Sequence, residues 1–197
     1  MVQYPDVLGL LAALKLKKAR ALALLLLLAP GRARRNGQVI DLLWQDAPEK
    51  KSQASLRQTI RHLRDVASQT LKVPIVTGGG NIMVDLPRDW SLVDTIAQEF
   101  AQAESLDAAA QNVSGFFDTL DLLIGISDTF DGWLDVMRER ALSTFRSALE
   151  QQIEGAGTTH AAASAELLLE IDSCNEIAAR HMMRHHWHSG LPTRAVK

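Results

Sequence analysis

Apolar residues in the first third of the chain form two blocks, VLGLLAAL and ALALLLLLA, separated by the basic stretch KLKKAR and closed by Pro30-Gly31. Read as a helix from about Lys18 to Leu28, the second block is apolar around most of its circumference, which predicts burial on nearly every side and a stop at Pro30-Gly31. After a loop from Gly31 to Gly37, Val39, Ile40, Leu42, Leu43 and Trp44 predict a short helix that anchors to the first. Asp46, Pro48 and Glu49 make a turn, and Ser52 is placed to cap the next helix. In ASLRQTIRHLRDVA, steps of about 100° per residue gather Leu56, Ile60, Leu63 and Ala67 on one face. Arg57, Gln58, Arg61 and His62 lie broadly opposite. Val73, Ile75, Ile82, Val84 and Leu86 then flank Gly78-Gly79-Gly80-Asn81, the pattern of two short strands about a glycine-rich turn.

From Ser91 onward the pattern is helical almost throughout, with breaks near Ser105 to Asp107, Gly125 to Asp128, Gly155 to Thr159 and Asp172 to Asn175. Trp133, Met137, Ala141, Phe145 and Leu149 follow four-residue steps along one long helix. Ala163, Leu167 and Leu168, then Ile177 and Met182, supply apolar faces for its successors. Short breaks between long helices predict antiparallel helix pairs.

Short helix, polar turn, basic helix and hairpin are the order of a winged helix-turn-helix, with one face of the basic helix packed and the other free to enter a DNA groove. The expected fold is therefore mainly α: a winged helix-turn-helix with a small β hairpin or sheet over residues 1–90, and an all-α helical repeat domain over 91–197. A chain of 197 residues, 47% hydrophobic and 22% charged, suits two modest globular domains. The net charge of −2 hides a division near Trp90. Residues 1–90 hold 14 Lys and Arg against 7 Asp and Glu, a balance of +7, whereas residues 91–197 hold 7 against 16, a balance of −9. The basic half can meet phosphates. The acidic half offers no second DNA surface of any size, and contacts protein or keeps the molecule soluble.

Several competing chemistries are excluded by spacing. KLKKARALALLLLLAPGR mimics the start of a signal peptide, yet another apolar stretch precedes its charges, and the run from Ala21 to Ala29 is far short of the roughly 20 residues that span a bilayer. No membrane contact is expected. Cys174 is the single cysteine, so no internal disulfide forms, and a cytoplasmic location fits. The glycine triplet at 78–80 lacks both a following Gly-Lys-Ser/Thr and a Gly-x-Gly-x-x-Gly, so it is read as a wing tip, where missing side chains allow close approach to a DNA backbone. Cys174, His181, His185, His186 and His188 form the only metal-like cluster, but no His-Glu-x-x-His accompanies the i, i+4 pair. Asp121, Asp128, Asp131 and Asp135 lack the glycine and closing Glu of a calcium loop. Neither metal nor cofactor is expected, and no catalytic residues are assigned.

Two stretches resemble a known family. RALALLLLLAPGRARRNGQVIDLLWQDAPEKKSQASLRQTIRHLRD resembles the DNA-binding domain of the antibiotic regulatory protein (SARP-type) transcriptional activators, which join an OmpR-type winged helix to a bacterial transcriptional activator domain. LLIGISDTFDGWLDVMRERALSTFRSALEQ and ELLLEIDSCNEIAARHMMRHH resemble that second domain, a stack of tetratricopeptide-like hairpins. Two departures stand out. Only about fourteen residues precede Lys15, so the strands that the family places before its first helix are shortened or absent. LPTRAVK stops where the family continues, so the second domain is expected to be truncated.

Carried over position by position, the resemblance implies that the helix from Ser52 to Ala67 enters the major groove. Arg57, Gln58 and Arg61 then reach base edges, with His62 and Arg64 nearer the strands. Arg can bond guanine O6 and N7 bidentately, and Gln can do the same to adenine N6 and N7. Arg34, Arg35, Lys50 and Lys51 become phosphate contacts that set position without reading sequence. The implied function is a bacterial transcriptional activator on double-stranded promoter DNA, whose second domain serves dimerisation (a homodimer), regulation or contact with RNA polymerase. The competing reading is a regulatory, protein-interaction module once fused to a nucleotide cyclase or an ATPase, with DNA binding lost.

Overall fold

Helix α1 (Val7–Ala13) and helix α2 (Lys17–Leu27) open the chain, and α2 is buried at Ala19 and at every position from Ala21 to Leu27. A segment apolar all round has no face to give to water, so it becomes the centre about which its neighbours pack. A 3-10 turn at Pro30–Arg32 comes next, with Gly31 at φ 67° in the left-handed region that glycine accepts without penalty. The chain continues through β1 (Ala33–Arg35), α3 (Asn36–Leu43), α4 (Glu49–Thr70), β2 (Ile75–Gly78) and β3 (Asn81–Val84). Later helices are α5 (Leu106–Asp121), α6 (Asp128–Glu154), α7 (Ala161–Ile171) and α8 (Glu176–His188). The computed structural model describes residues 7–70, 73–87, 90–96, 106–155 and 161–190. The expected break at Ser105, most of that at Gly155 to Thr159, and LPTRAVK lie outside the described residues. The described chain is mainly helical with one small antiparallel sheet, and no helix in it is long and apolar enough to cross a membrane.

The sheet has three strands in the order β1-β3-β2, not the two of a simple hairpin. Ala33 to Arg35 lie within the stretch read as a loop, and they pair with β3 in the register Ala33↔Met83, Arg34↔Ile82, Arg35↔Asn81. On the other side of β3, Ile75↔Val84 and Thr77↔Ile82 complete the ladder. Ile75, Ile82 and Val84 are buried on one face, while Val76 and Met83 are exposed on the other.

Helix α4 begins three residues before the expected cap. Pro48 accepts from the Lys51 and Ser52 amides, and the Ser52 hydroxyl turns back to donate to the Glu49 carbonyl at 2.9 Å. The Pro48 carbonyl thus opens the helical ladder, and Ser52 falls inside the helix, buried, where it caps nothing. Leu56, Ile60, Leu63 and Ala67 are buried, as their spacing requires, and α4 packs on α1, α2 and α3 with β2 near its far end. Each fully buried Leu or Ile contributes about 1.5–3 kcal/mol over its exposed state.

The chain forms two compact units. One comprises Met1–Thr95 and Ser114–Arg138, the other Ile96–Val113 and Glu139–Lys197. Residues 114–138 join the first unit for identifiable reasons: Ser127 Oγ donates to the Leu42 carbonyl at 2.6 Å, Thr129 Oγ1 to Gln45 Oε1 at 2.6 Å, and Lys17 Nζ to the Ile124 carbonyl at 2.6 Å. Phe116, Leu120, Leu123, Phe130 and Leu134 are buried. The second unit is pinned by polar bonds at its helix ends. Asn175 caps α8 by accepting from the Ala178 amide at 3.0 Å and donates to Glu150 at 2.8 Å, and Arg146 pairs with Asp172 at 3.3 Å.

The apolar face of α6 differs from a strict four-residue ladder. Trp133 and Met137 are only half-buried, whereas Phe130, Leu134, Ala141, Phe145, Leu149 and Ile153 are buried. Four residues overshoot one helical turn by about 40°, so a three-residue offset is needed to return to the seam.

Candidate nucleic-acid interface

Because the inner face of α4 is fixed by packing, its outer face is fixed too. At 100° per residue Lys50, Arg57, Arg61 and Arg64 fall within a strip about 60° wide, extending about 21 Å along the helix. All four are exposed, as are Gln58 beside Arg61 and Lys51 in the first turn. Among the described residues no carboxylate pairs with Lys50, Lys51, Arg57 or Arg61, so their charge is available to a ligand. Ser52 is different. With 1% of its surface exposed and its hydroxyl engaged, it is withdrawn from the exposed DNA-binding residues among which the sequence placed it as the start of the groove helix.

The hairpin turn presents Gly78, Gly79, Gly80 and Asn81, all exposed. Gly79 and Gly80 have φ of 58° and 76°, the paired positive values that a tight two-residue hairpin of type I′ demands. This requirement is met by glycine at little cost and would strain almost any other residue. Arg35 stands opposite Asn81 in the ladder, and the Asn36 amide donates to the Gly80 carbonyl at 2.8 Å. The start of α3 and the turn are therefore one local structure, and exposed Arg35 lies beside the tip. Arg34, one residue back, is half-buried, and its Nε is enclosed without a hydrogen-bond partner among the described residues. His62 is also half-buried with Nε2 enclosed, which sets it apart from the open strip.

Two arginines hold the hairpin in place. Arg64 donates from Nε to the Ile75 carbonyl at 3.2 Å and from Nη2 to Thr77 Oγ1 at 3.3 Å, joining α4 to β2. Arg32, which no sequence pattern singled out, is buried and bonds the Leu86 carbonyl at 3.1 Å and the Trp90 carbonyl, with its guanidinium over the Trp90 ring. Its φ of 52° places a non-glycine residue in the left-handed region, at a cost of about 1–2 kcal/mol that these charge-assisted bonds offset. No apolar or glycine signal marked Arg32; only its place immediately after Pro30-Gly31 could have. Lys18 supports the turn between α3 and α4 from below, 5.0 Å from the centre of the Trp44 ring. Burial lowers its pKa, and the nearby Asp46 carboxylate works in the opposite direction.

The alternative clusters do not assemble. Among the described residues no group of three or more His, Cys, Asp or Glu is placed to hold a metal ion. Asp131 accepts from the Gly125 amide at 2.8 Å through Oδ2, and Asp121 pairs with Arg138. Cys174 is exposed and free. On α8, His181 has its pKa lowered from the ordinary 6.5, first by burial and then by the neighbouring His185 and Arg184 charges. The folded state thus binds this proton less tightly than the unfolded chain does. Its contribution is complete above pH 6.5 and is lost as pH falls through that value toward the lower folded pKa. Thermal unfolding midpoints measured from pH 7.5 to 5.5 are expected to fall less steeply for His181→Gln than for the parent; parallel curves would refute the assignment.

No known family model matches the chain, and no curated protein sequence matches it.

Proposed function

We propose that this protein is a DNA-binding transcriptional regulator, an activator of the antibiotic regulatory protein type. It reads double-stranded promoter DNA in the cytoplasm through α4 and the β2–β3 turn. The connectivity supports this reading: helix, strand, helix, helix and two strands, with sheet order β1-β3-β2, is compatible with a winged helix-turn-helix. The helices of the second unit are then a tetratricopeptide-like module for dimerisation, regulation or contact with RNA polymerase, and no catalytic step is assigned.

One observation carries the proposal. Lys50, Arg57 and Arg61 form an exposed cationic strip without carboxylate partners among the described residues, on a helix whose other face is packed. A major groove about 12 Å wide admits such a helix, and the phosphates on its rims meet cations at the strip's margins. Titration of the full chain against duplex DNA from the region upstream of its gene tests the idea. With Arg35, Lys50 and Lys51 each neutralising one phosphate, log affinity should fall with log salt at a slope of about −2.7 per chain, roughly 40-fold between 50 and 200 mM. Absence of binding at 50 mM salt, or affinity indifferent to salt, would overturn the reading.

A further inference from the structure

We infer that Arg64 is a positioning residue that sets the wing against the recognition helix, not a contact to DNA. This role rests on the reading of α4 and the hairpin as a DNA interface. By helical phase alone Arg64 belongs to the cationic strip with Lys50, Arg57 and Arg61. Two of its five N–H donors nevertheless turn to β2: Nε to the Ile75 carbonyl at 3.2 Å and Nη2 to Thr77 Oγ1 at 3.3 Å. Both acceptors lie on β2, eleven and thirteen residues further along the chain. β2 is an edge strand, paired only with β3 among the described residues, and just one of its four residues, Ile75, is buried. β2 itself packs through Ile75 alone, and Arg64 adds a polar tie from α4 to this strand. Because a guanidinium is planar with donors in a fixed fork, two bonds to one strand fix an orientation as well as a distance.

The consequence concerns the shape of the bound DNA. Base contacts by Arg57 and Arg61 and backbone contact by the glycine turn are made by separate elements, and the Arg64 tie is the bond that joins α4 directly to the hairpin. Arg64→Ala removes the tie while leaving Lys50, Arg57 and Arg61 in place. Thr77→Val removes the Nη2 acceptor with no change of charge, so it separates tie from cation.

Hydrogen exchange in the free protein and DNA binding together decide the matter. In the free protein, Arg64→Ala and Thr77→Val should both speed amide exchange within residues 75–84 while leaving the middle of α4 unchanged. On DNA, Arg64→Ala should weaken binding about 5- to 10-fold and Thr77→Val about 3-fold, with the double variant no weaker than Arg64→Ala alone. Hydroxyl-radical protection should be lost on the wing side only, and the salt slope should stay at the parent value. A slope shallower by about one unit in Arg64→Ala would mean a phosphate contact and would overturn the inference. So would unchanged exchange in the hairpin of either variant, whatever the DNA result. If the parent chain binds no duplex, the proposed function falls, and the DNA-positioning role falls with it, although accelerated exchange would still establish the tie itself.

Discussion

Leu63→Ala is expected to lower the unfolding free energy by about 2–5 kcal/mol, which for a chain of this size moves the thermal midpoint down by roughly 4–20 °C. Leu63 has 0% of its surface exposed and lies on the inner face of α4, the helix that packs on α1, α2 and α3. Truncation removes apolar contacts and leaves a cavity that three packed helices cannot close fully, which places the cost within the core range. The control is Arg61→Ala, two residues away on the same helix but exposed and unpaired among the described residues. Its effect on stability should stay within about 0.5 kcal/mol. Calorimetry of the two variants side by side measures whether α4 has the inner and outer faces described. Equal midpoints would mean that it does not.

That division of faces was legible in the sequence because a single helix obeys a local rule. Leu56, Ile60, Leu63 and Ala67 are buried, and Arg57, Gln58 and Arg61 exposed, as a period of 3.6 requires. The α2 core helix and the glycine turn were legible for the same reason: continuous apolarity and a glycine run act over a few residues. What escaped depends on partners distant in sequence. Ala33-Arg34-Arg35 shows no alternation, and becomes a strand only because β3, about fifty residues later, offers a free edge. Arg32 gains its role from the Leu86 and Trp90 carbonyls, and Arg64 from Ile75 and Thr77. Ser52 carried a sound local signal that Pro48, four residues earlier, overrode.

The attachment of residues 114–138 to the amino-terminal unit has the same origin. The charge reversal near Trp90 is real in composition, but composition does not decide packing. Ser127 and Thr129 bond Leu42 and Gln45, at the end of α3 and in the turn that leads into α4. The segment from Gly125 to Asp131 therefore belongs physically to the element that orients the basic helix.

Arg57→Ala or Arg61→Ala is expected to cost about 1–3 kcal/mol of DNA affinity at particular base pairs and to relax sequence preference there. The strip lies on the outer face of α4, where a side chain long enough to reach guanine O6 and N7 meets no carboxylate among the described residues. Lys50→Ala should behave differently. At the amino-terminal turn of the helix its ammonium is a point charge suited to a phosphate, so its loss should weaken all sequences alike and flatten the salt slope by about one unit. Affinity for a library of single base-pair substitutions, taken at two salt concentrations, separates the two behaviours in one experiment. If Arg57→Ala and Arg61→Ala weaken every member of the library equally, the outer face of α4 neutralises phosphates without reading bases, and the chain is a sequence-blind DNA binder.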